Sequence, residues 1–519
     1  MVGATVALGL LVATILASAL VGVSVSRGRV GSVEDLITAR DSANERRLTA
    51  SLVASVMGVW ILLAAPEAGA SFGIAAVAGY AIGEALPMLA YAKIGPRIRE
   101  VIPNGHTLTE YVQARYGSAM YAFVIAVSAL YMFVFVAAEL TGIAGALSLV
   151  AGVPRWQTAV LVGGAVLLYT GYGGLRASIA TDALQAVVVL PLLAVAAVGA
   201  LFALGGPAAT YDGVVEADPA LLDPGFVPGL TFGLALAFAI LGAELINQTW
   251  WQRVYAGTDG ATVATSFRNA TLLNGAIVFV AALFGVIAAG HADIVTDVTK
   301  EGYNADVSFF ILLRSAFPDP LVIAVVLLAL SLVISSVDSL FSALASLVTA
   351  DLPRLLDDPD DRTLRLGARV FTVVVALAAI YVSLRARSVL RLFFFADLLG
   401  AAVAFPLVYG LYSTRLTGVG ALTSSLVGLA VGIAYFPDLR GAITAIPVVG
   451  GSLPAPDPLY LTSFGGAFLV SSALAVVTAR LRPGEFDHAE LATEIRSLNA
   501  PVTDGGRAKS DAAQDDPEP

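Results

Sequence analysis

The sequence predicts an all-α, polytopic membrane protein with about 13 transmembrane helices. Only 13% of its 519 residues are charged and 58% are hydrophobic, whereas a soluble domain carries about a quarter charged residues. The mean hydropathy is +0.84, so most of the surface has to lie in lipid rather than in water. The third observation is the uneven distribution of the 29 basic residues along the chain.

Thirteen apolar stretches come close to the ~20 residues that a helix needs to cross the hydrocarbon core of a bilayer. The first is not a signal peptide, because its apolar run is too long and no basic residue precedes it. The approximate spans are 3–25, 48–66, 71–92, 118–150, 156–173, 182–205, 228–251, 269–291, 320–347, 366–384, 391–413, 417–436 and 458–480.

Basic residues set the orientation that we predict. With the N-terminus outside and alternating spans, 22 of the 29 basic residues fall on the cytoplasmic side and 7 fall outside. Basic residues concentrate on the cytoplasmic side of membrane proteins, so we expect a multi-pass protein of the cell membrane with its C-terminus inside. Residues 1–482 form the predicted transmembrane domain, and the polar composition of 483–519 predicts a disordered cytoplasmic tail.

Composition also excludes several classes of site. The chain has no cysteine and three histidines, which excludes disulfides, thiolate metal sites and cysteine nucleophiles. No cluster of acid–base or metal-binding residues indicates an enzyme. The net charge of −10 argues against a nucleic-acid partner. The lipid bilayer is the expected surrounding, and no obligate protein partner is evident.

Two groups of five spans, 48–205 and 228–413, predict an inverted repeat, because five crossings reverse the orientation of the second group. In such 5+5 cores, of the LeuT type, solute and ions bind near the midplane at interrupted helices. The first helix of each repeat should then be broken. Gly58 lies in the middle of the first. In the second, polar residues that are costly in lipid unless they face protein or a cavity follow Gly242: Glu244, Asn247 and Gln248.

Hydroxyl groups are dense in span 320–347, where Ser335 and Ser336 precede Asp338 and Ser339. Oxygen atoms are the ligands that hard cations such as sodium prefer. Lone serines in membrane helices mostly serve close helix packing, but this density of hydroxyls favours an ion site. Asp182 stands at a predicted helix start, where it either caps the helix or attracts a passing cation.

Three segments, in this order, resemble those of the sodium:solute symporter family. Residues 105–117 are similar to its cytoplasmic TL-x-E-x-x-x-x-R-[YF]-G stretch, residues 169–185 to its signature, and Ser335–Ser336, ending in 349–352, to its sodium-binding span. The resemblance implies a sodium-coupled secondary active transporter, working by alternating access on a small polar organic solute. A solute sensor of the same fold and a proton-coupled carrier are the alternatives.

The resemblance also implies ligands for sodium, the co-transported ion. Ser335 and Ser336 would supply hydroxyl oxygens, and Leu332 a carbonyl oxygen. Residues 54–60 resemble the family stretch A-S-D-M-S-G-W, which would make Ala54 and Met57 carbonyl ligands. Asp182 matches the family aspartate associated with sodium passage.

The solute is less constrained than the ion. Residues 247–253 resemble the Q-x-Y-W-Q stretch of the urea and polyamine branch, while the departures at Val56 and Gly58 weaken any transfer of proline specificity. Acidic side chains could bind a cationic or hydrogen-bonding solute, or could lie at helix ends near lipid headgroups. The candidate solute ligands are Trp60, Glu67, Glu139, Glu244, Asn247 and Gln248.

Overall fold

Helices account for the regular structure throughout the described chain, with one isolated β-bridge between Ala43 and Gly257. The structure, a computed structural model, describes residues 3–26, 39–170, 191, 193–355, 361–447 and 452–495. Asp182 lies outside the described residues.

The helices are numbered in chain order. Their bounds are α1 Ala4–Ser26, α2 Glu45–Val56, α3 Ala64–Val101, α4 Leu108–Tyr116, α5 Ser118–Ala151, α6 Arg155–Thr170, α7 Leu193–Ala203, α8 Pro207–Ala217, α9 Val227–Leu245, α10 Gln248–Ala256, α11 Gly260–His291, α12 Ser308–Ala316, α13 Asp319–Leu355, α14 Asp361–Ser383, α15 Val389–Tyr409, α16 Gly418–Tyr435, α17 Pro437–Thr444, α18 Leu459–Leu481 and α19 Ala489–Glu494.

Each of the thirteen predicted spans contains helix, although span 182–205 is described only at 191 and from 193 onward. Within the described ranges, eight helices are long and apolar enough to cross a membrane by themselves, and nine if the bent pair α7–α8 forms one span. α1 and α14 are apolar over shorter stretches. The prediction of an all-helical, multi-span membrane protein is confirmed.

The first core helix is broken near its middle. α2 ends at Val56, Gly58 is extended (φ −84°, ψ 177°), and a 3₁₀ turn at Val59–Leu62 leads into α3. A second bend follows at Gly73, whose φ of +67° separates residues 64–72 from the long second core helix. Glycine tolerates this left-handed backbone, and a β-carbon here would overlap the backbone of Leu221.

The first helix of the second repeat is broken as well. α9 ends at Leu245, and α10 starts at Gln248 with Asn247 as its cap, the Asn247 side chain accepting from the Thr249 N–H at 3.0 Å. A short polar side chain at this position satisfies an N–H that has no partner within the helix. The predicted interruption of both helices is therefore confirmed.

Small residues let the two broken helices approach their neighbours. Gly242 of α9 lies against Ala401 of α15, and Gly400 against Ala243, so that a β-carbon on either glycine would overlap the facing backbone. α3 also packs along α9 and α11. Close backbone contact of this kind is how membrane helices gain packing energy when lipid offers no hydrophobic drive.

The segment after α18 contacts the end of the bundle. Within residues 483–495, where the sequence predicts the start of a disordered tail, the Gly484 N–H donates to the Arg415 carbonyl at 2.8 Å and α19 buries Leu491 completely. The Arg115 guanidinium also lies 4.3 Å from the ring centre of Phe486. This segment is ordered because its few apolar side chains pack against the end of the bundle. Its polar overall composition does not predict that packing.

Candidate solute and ion sites

A cavity, called here the central cavity, lies between the two broken helices. Residues on both sides of both breaks reach it, together with side chains from α3, α5 and α15. A site at the interruptions of the first helix of each repeat is where this architecture binds its solute. Its lining residues are Ser55, Val56, Trp60, Tyr80, Glu84, Phe135, Ile240, Glu244, Asn247, Trp250, Phe393 and Asp397.

Three carboxylates, Glu84, Glu244 and Asp397, converge on the central cavity from three different helices. All three side chains are buried. The described residues that line the cavity include no lysine, arginine or histidine. Because a buried carboxylate costs several kcal/mol unless it is paired or protonated, a positively charged ligand would fit this arrangement.

Glu244 is held in place by three donors. The Tyr131 hydroxyl donates to Glu244 Oε1 at 2.7 Å, the Asn247 side-chain amide donates to Oε2 at 3.1 Å, and Trp250 Nε1 donates to the same Oε2. Hydrogen bonds to a charged acceptor are about twice as strong as neutral ones. They fix the direction of the carboxylate and use the polar residues of the second break to do so.

Aromatic rings supply most of the remaining wall of the central cavity. Trp60 stacks on Tyr80 with ring centres 5.9 Å apart, and Phe393 meets Phe135 edge-on at 4.5 Å. Phe393 also contacts Trp60 edge-on at 6.1 Å. Faces of aromatic rings attract organic cations, so the rings and the carboxylates favour the same kind of ligand.

The predicted sodium ligands come from two elements that do meet. Met57, at the first break, and Leu332, on α13, line one apolar cavity, and α13 packs against both α2 and the 3₁₀ turn. Ser335 is buried on α13 and Ser336 is half-buried. The Ala54 carbonyl accepts from the Met57 N–H at 3.1 Å. The set consists of carbonyl and hydroxyl oxygens, which suit a hard cation.

Glu67 lies away from the central cavity, at one end of the bundle. Its Oε1 accepts from the Tyr303 hydroxyl at 2.5 Å and from the Ser388 hydroxyl at 2.8 Å. Ser388 caps α15 by accepting from the Arg391 N–H at 3.1 Å, and Tyr303 belongs to the loop between α11 and α12. We call Glu67, Tyr303 and Ser388 the latch, because they join three separate elements of the fold.

Two groups near the latch, Tyr303 and Asp306 in the segment between α11 and α12, have raised pKa values. Burial raises the pKa of Asp306 to about 7, while Arg155 opposes the rise. Burial and the neighbouring Glu67 carboxylate raise the pKa of the Tyr303 hydroxyl far above its usual range. Tyr303 therefore stays protonated at every physiological pH and keeps donating to Glu67.

The other two sequence candidates also have partners outside the central cavity. Glu139 is completely buried on α5, and its Oε2 accepts from the Val59 N–H at 2.9 Å. Gln248 accepts from the Leu108 N–H at 2.8 Å and donates to the His106 carbonyl at 3.3 Å. Of the six candidate solute ligands, the structure brings Trp60, Glu244 and Asn247 to the cavity and places Glu67, Glu139 and Gln248 elsewhere.

Sequence reasoning missed Glu84 and Asp397. Asp397 is the one acid of α15, and Glu84 lies in the apolar middle of α3; ionisable residues inside spans are functional candidates by default. That signal was available for both positions. Tyr80, Phe135 and Phe393 carried no such signal, because aromatic residues are common throughout apolar spans.

The comparisons with known proteins agree with this geometry. The chain is 27% identical over 495 residues to the spermidine transporter DUR31 of Candida albicans, covering 92% of this chain and 90% of the relative. It is 21% identical over 513 residues to the urea-proton symporter DUR3 of Oryza sativa subsp. japonica, covering 88% and 69%.

Among solved structures, a Na⁺-coupled sialic acid symporter in a substrate-bound outward-open state matches with a TM-score of 0.71 at 17% identity, covering 92% of this chain and 99% of that one. At this identity the likeness establishes the fold. A model of the sodium:solute symporter family matches residues 37–428. The chain belongs to the sodium:solute symporter family.

Proposed function

We propose that the chain is a sodium-coupled symporter that carries small organic cations of the polyamine type by alternating access. Membership of this family supports a secondary active symporter, and the relatives are transporters rather than enzymes. The choice of an organic cation depends on one observation: three carboxylates and no basic side chain among the described residues that line the central cavity.

A polyamine fits that observation because its ammonium groups can each meet a carboxylate while its methylene chain contacts the aromatic wall. The relative named as a spermidine transporter matches over almost its whole length, which supports the same choice. Urea, named for another relative, carries no charge. It would leave Glu84, Glu244 and Asp397 without a counter-ion in a buried site.

Sodium is the coupled ion that the carbonyl and hydroxyl oxygens near the first break suit. Met57 and Leu332 approach each other across the apolar cavity, and the serines Ser335 and Ser336 lie within one turn of Leu332 on α13. Each positive charge that moves inward gains about 2.3 kcal/mol per 100 mV of membrane potential. A cationic solute moving with sodium would therefore be concentrated by the potential as well as by the sodium gradient.

The predicted orientation gives each end of the bundle a role. With the N-terminus outside, the latch at Glu67 faces the exterior, while His106 and Gln248 lie at the cytoplasmic end. Solute would then enter past the latch, bind in the central cavity, and leave when the half-helices α2 and α10 swing away from the cytoplasmic end.

Uptake into proteoliposomes tests the proposal. We expect labelled spermidine and putrescine to accumulate with an inward sodium gradient, and urea and proline to fail. Glu84→Gln should raise the spermidine KM about 10- to 150-fold, from the loss of one charge-assisted contact of about 1.5–3 kcal/mol. Uptake of urea but not of polyamines would contradict the proposed solute.

A second pair of substitutions separates the ion from the solute. The double change Ser335→Ala and Ser336→Ala should abolish the sodium dependence of uptake and leave spermidine binding in detergent intact. Thr372→Ala, a buried hydroxyl on α14, is the matched control. A proton gradient that drives wild-type uptake without sodium would contradict sodium coupling and favour the mechanism named for the rice relative.

A further inference from the structure

The segment that follows α18 is fastened to the loop between α15 and α16. Two backbone N–H groups, those of Gly484 and Phe486, donate to carbonyl oxygens of that loop at 2.8 and 3.2 Å. His488 Nε2 donates to the Gly410 carbonyl, at the end of α15, at 3.0 Å. We call residues 483–495 the clamp.

The clamp also contacts α4. The ring centre of Phe486 lies 4.3 Å from the Arg115 guanidinium, and the ring centre of Tyr116 lies 4.9 Å from the same group. Aromatic rings attract cations of this kind. Within the clamp, α19 packs against α4 and α3, and it leaves Leu491 and Ile495 buried. The clamp therefore joins α4 to the loop between α15 and α16.

α4 is itself a link between α10 and α15. The Gln248 side chain of α10 accepts from the Leu108 N–H at 2.8 Å, and Trp251 of α10 stacks on Tyr111 with ring centres 5.5 Å apart. The Tyr111 hydroxyl then donates to the Leu407 carbonyl of α15 at 2.9 Å. A movement of α10 away from α15 therefore acts on α4, and through α4 on the clamp.

Other contacts hold α4 in place besides those of the clamp. The Tyr116 hydroxyl donates to the Pro406 carbonyl at 2.6 Å, and Arg115 donates to the Ser413 carbonyl at 2.7 Å. A capping box of Thr107 with the third residue of the helix closes the start of α4, which satisfies N–H groups locally. Loss of the clamp should therefore leave the bundle folded and change only the ease with which this end opens.

We propose that the clamp is an autoinhibitory contact, which holds α4 on the loop between α15 and α16 and so slows the opening of the end of the bundle where α10 lies. The inference rests on the proposed function, in which α10 swings away from this end when solute leaves. Short segments with few buried side chains open at a low free-energy cost, so the clamp can release while the bundle stays folded.

Two truncations of the transporter test the clamp. A chain that ends at Arg482 lacks the clamp, and a chain that ends at Leu498 keeps it. Each carries Val56→Cys, which places a thiol in the wall of the central cavity, and the chain has no cysteine of its own. In inside-out membrane vesicles, a membrane-impermeant maleimide reaches this thiol only through an open cytoplasmic end, so the labelling rate measures opening.

Phe486→Ala tests the contact with Arg115 in the full-length chain. Its labelling rate should rise about 2- to 30-fold, the change in an equilibrium that loss of one cation–π contact produces. The chain that ends at Arg482 also loses hydrogen bonds and should rise at least as much, while the chain that ends at Leu498 should keep the full-length rate. Because opening at this end then costs less, the maximal rate of spermidine uptake should rise in both clamp variants.

Tyr381→Ala is the matched control, since it removes a ring 4.5 Å from the Arg385 guanidinium near the opposite end of the bundle. Its labelling rate should stay unchanged, and a rise equal to that of Phe486→Ala would overturn the inference. So would an unchanged or lower labelling rate, or an unchanged or lower maximal uptake rate, in the clamp variants. If the chain that ends at Arg482 does not fold, Phe486→Ala decides.

The two proposals fail in different ways. A wild-type chain that does not carry spermidine would refute the proposed function. Labelling requires neither spermidine nor sodium, so it still decides whether the clamp holds this end closed.

Discussion

With the N-terminus outside, as the sequence predicts, the latch lies at the exterior end, and removal of the Tyr303 hydroxyl should open that end of the transporter. Tyr303→Phe deletes the 2.5 Å hydrogen bond to Glu67 and leaves the one from Ser388. A hydrogen bond to a charged acceptor contributes about 1.5–3 kcal/mol. Since 1.4 kcal/mol is about a factor of ten, the ratio of outward-open to closed molecules should rise about 10- to 150-fold.

The chain is suited to an accessibility assay because it contains no cysteine. Val56→Cys places one thiol in the wall of the central cavity with little change in side-chain volume. In intact cells, a membrane-impermeant maleimide can reach that thiol only through an open exterior pathway. The labelling rate should follow the open population and therefore rise by the same factor in the Tyr303→Phe background.

Tyr211→Phe provides the matched control, because Tyr211 is 59% exposed on α8 at the same end of the bundle. The labelling rate of the double variant Val56→Cys with Tyr211→Phe should equal that of Val56→Cys alone. An unchanged or slower rate with Tyr303→Phe would mean that these hydrogen bonds do not hold the closed state.

Three further predictions follow from single side chains. Burial raises the pKa of Asp306 to about 7, so its contribution to stability is fully present below about pH 4 and is lost as the pH rises to 7. The melting temperature of Asp306→Asn should therefore rise relative to that of the wild type over this range. A constant difference between the two melting temperatures would contradict this prediction. Gly58→Ala should destabilise the protein by about 1–3 kcal/mol, because the new methyl group overpacks against Glu139, and this should lower the melting temperature in detergent. An unchanged melting temperature would show that the carboxylate moves freely. Tyr131→Phe frees Glu244 from a 2.7 Å donor and should raise the spermidine KM about tenfold, measured by uptake; a wild-type KM would remove Tyr131 from the solute site.

Local signals predicted much of the architecture. Gly58 and the polar residues after Gly242 predicted the two breaks, and the polar residues were the stronger signal because they are costly in lipid unless they face protein or a cavity. The same signals identified Glu244 and Asn247 as cavity residues. The solute was harder, since it depends on how many charges meet in one place, and that number is a property of the assembled bundle.

Glu84, Glu139 and Asp397 illustrate the limit. Each is an acid within an apolar helix, and the sequence cannot tell toward which neighbour such a side chain points. α3, α5 and α15 are apolar on most faces, so periodicity gives no inward direction. Only packing decides that Glu84 and Asp397 face the cavity while Glu139 turns to the break.

The break at residues 55–62 is a wall of two cavities at once. Val56 and Trp60 face the central cavity, and Met57 and Ile61 face the apolar one. Under the proposed function, neighbouring residues of one short hinge would therefore lie close to both the solute and the ion. By thermodynamic linkage, the factor by which sodium tightens solute binding must equal the factor by which solute tightens sodium binding. Measuring either factor at equilibrium therefore gives the other. The logarithm of that factor, multiplied by −RT, is the coupling free energy between the two sites.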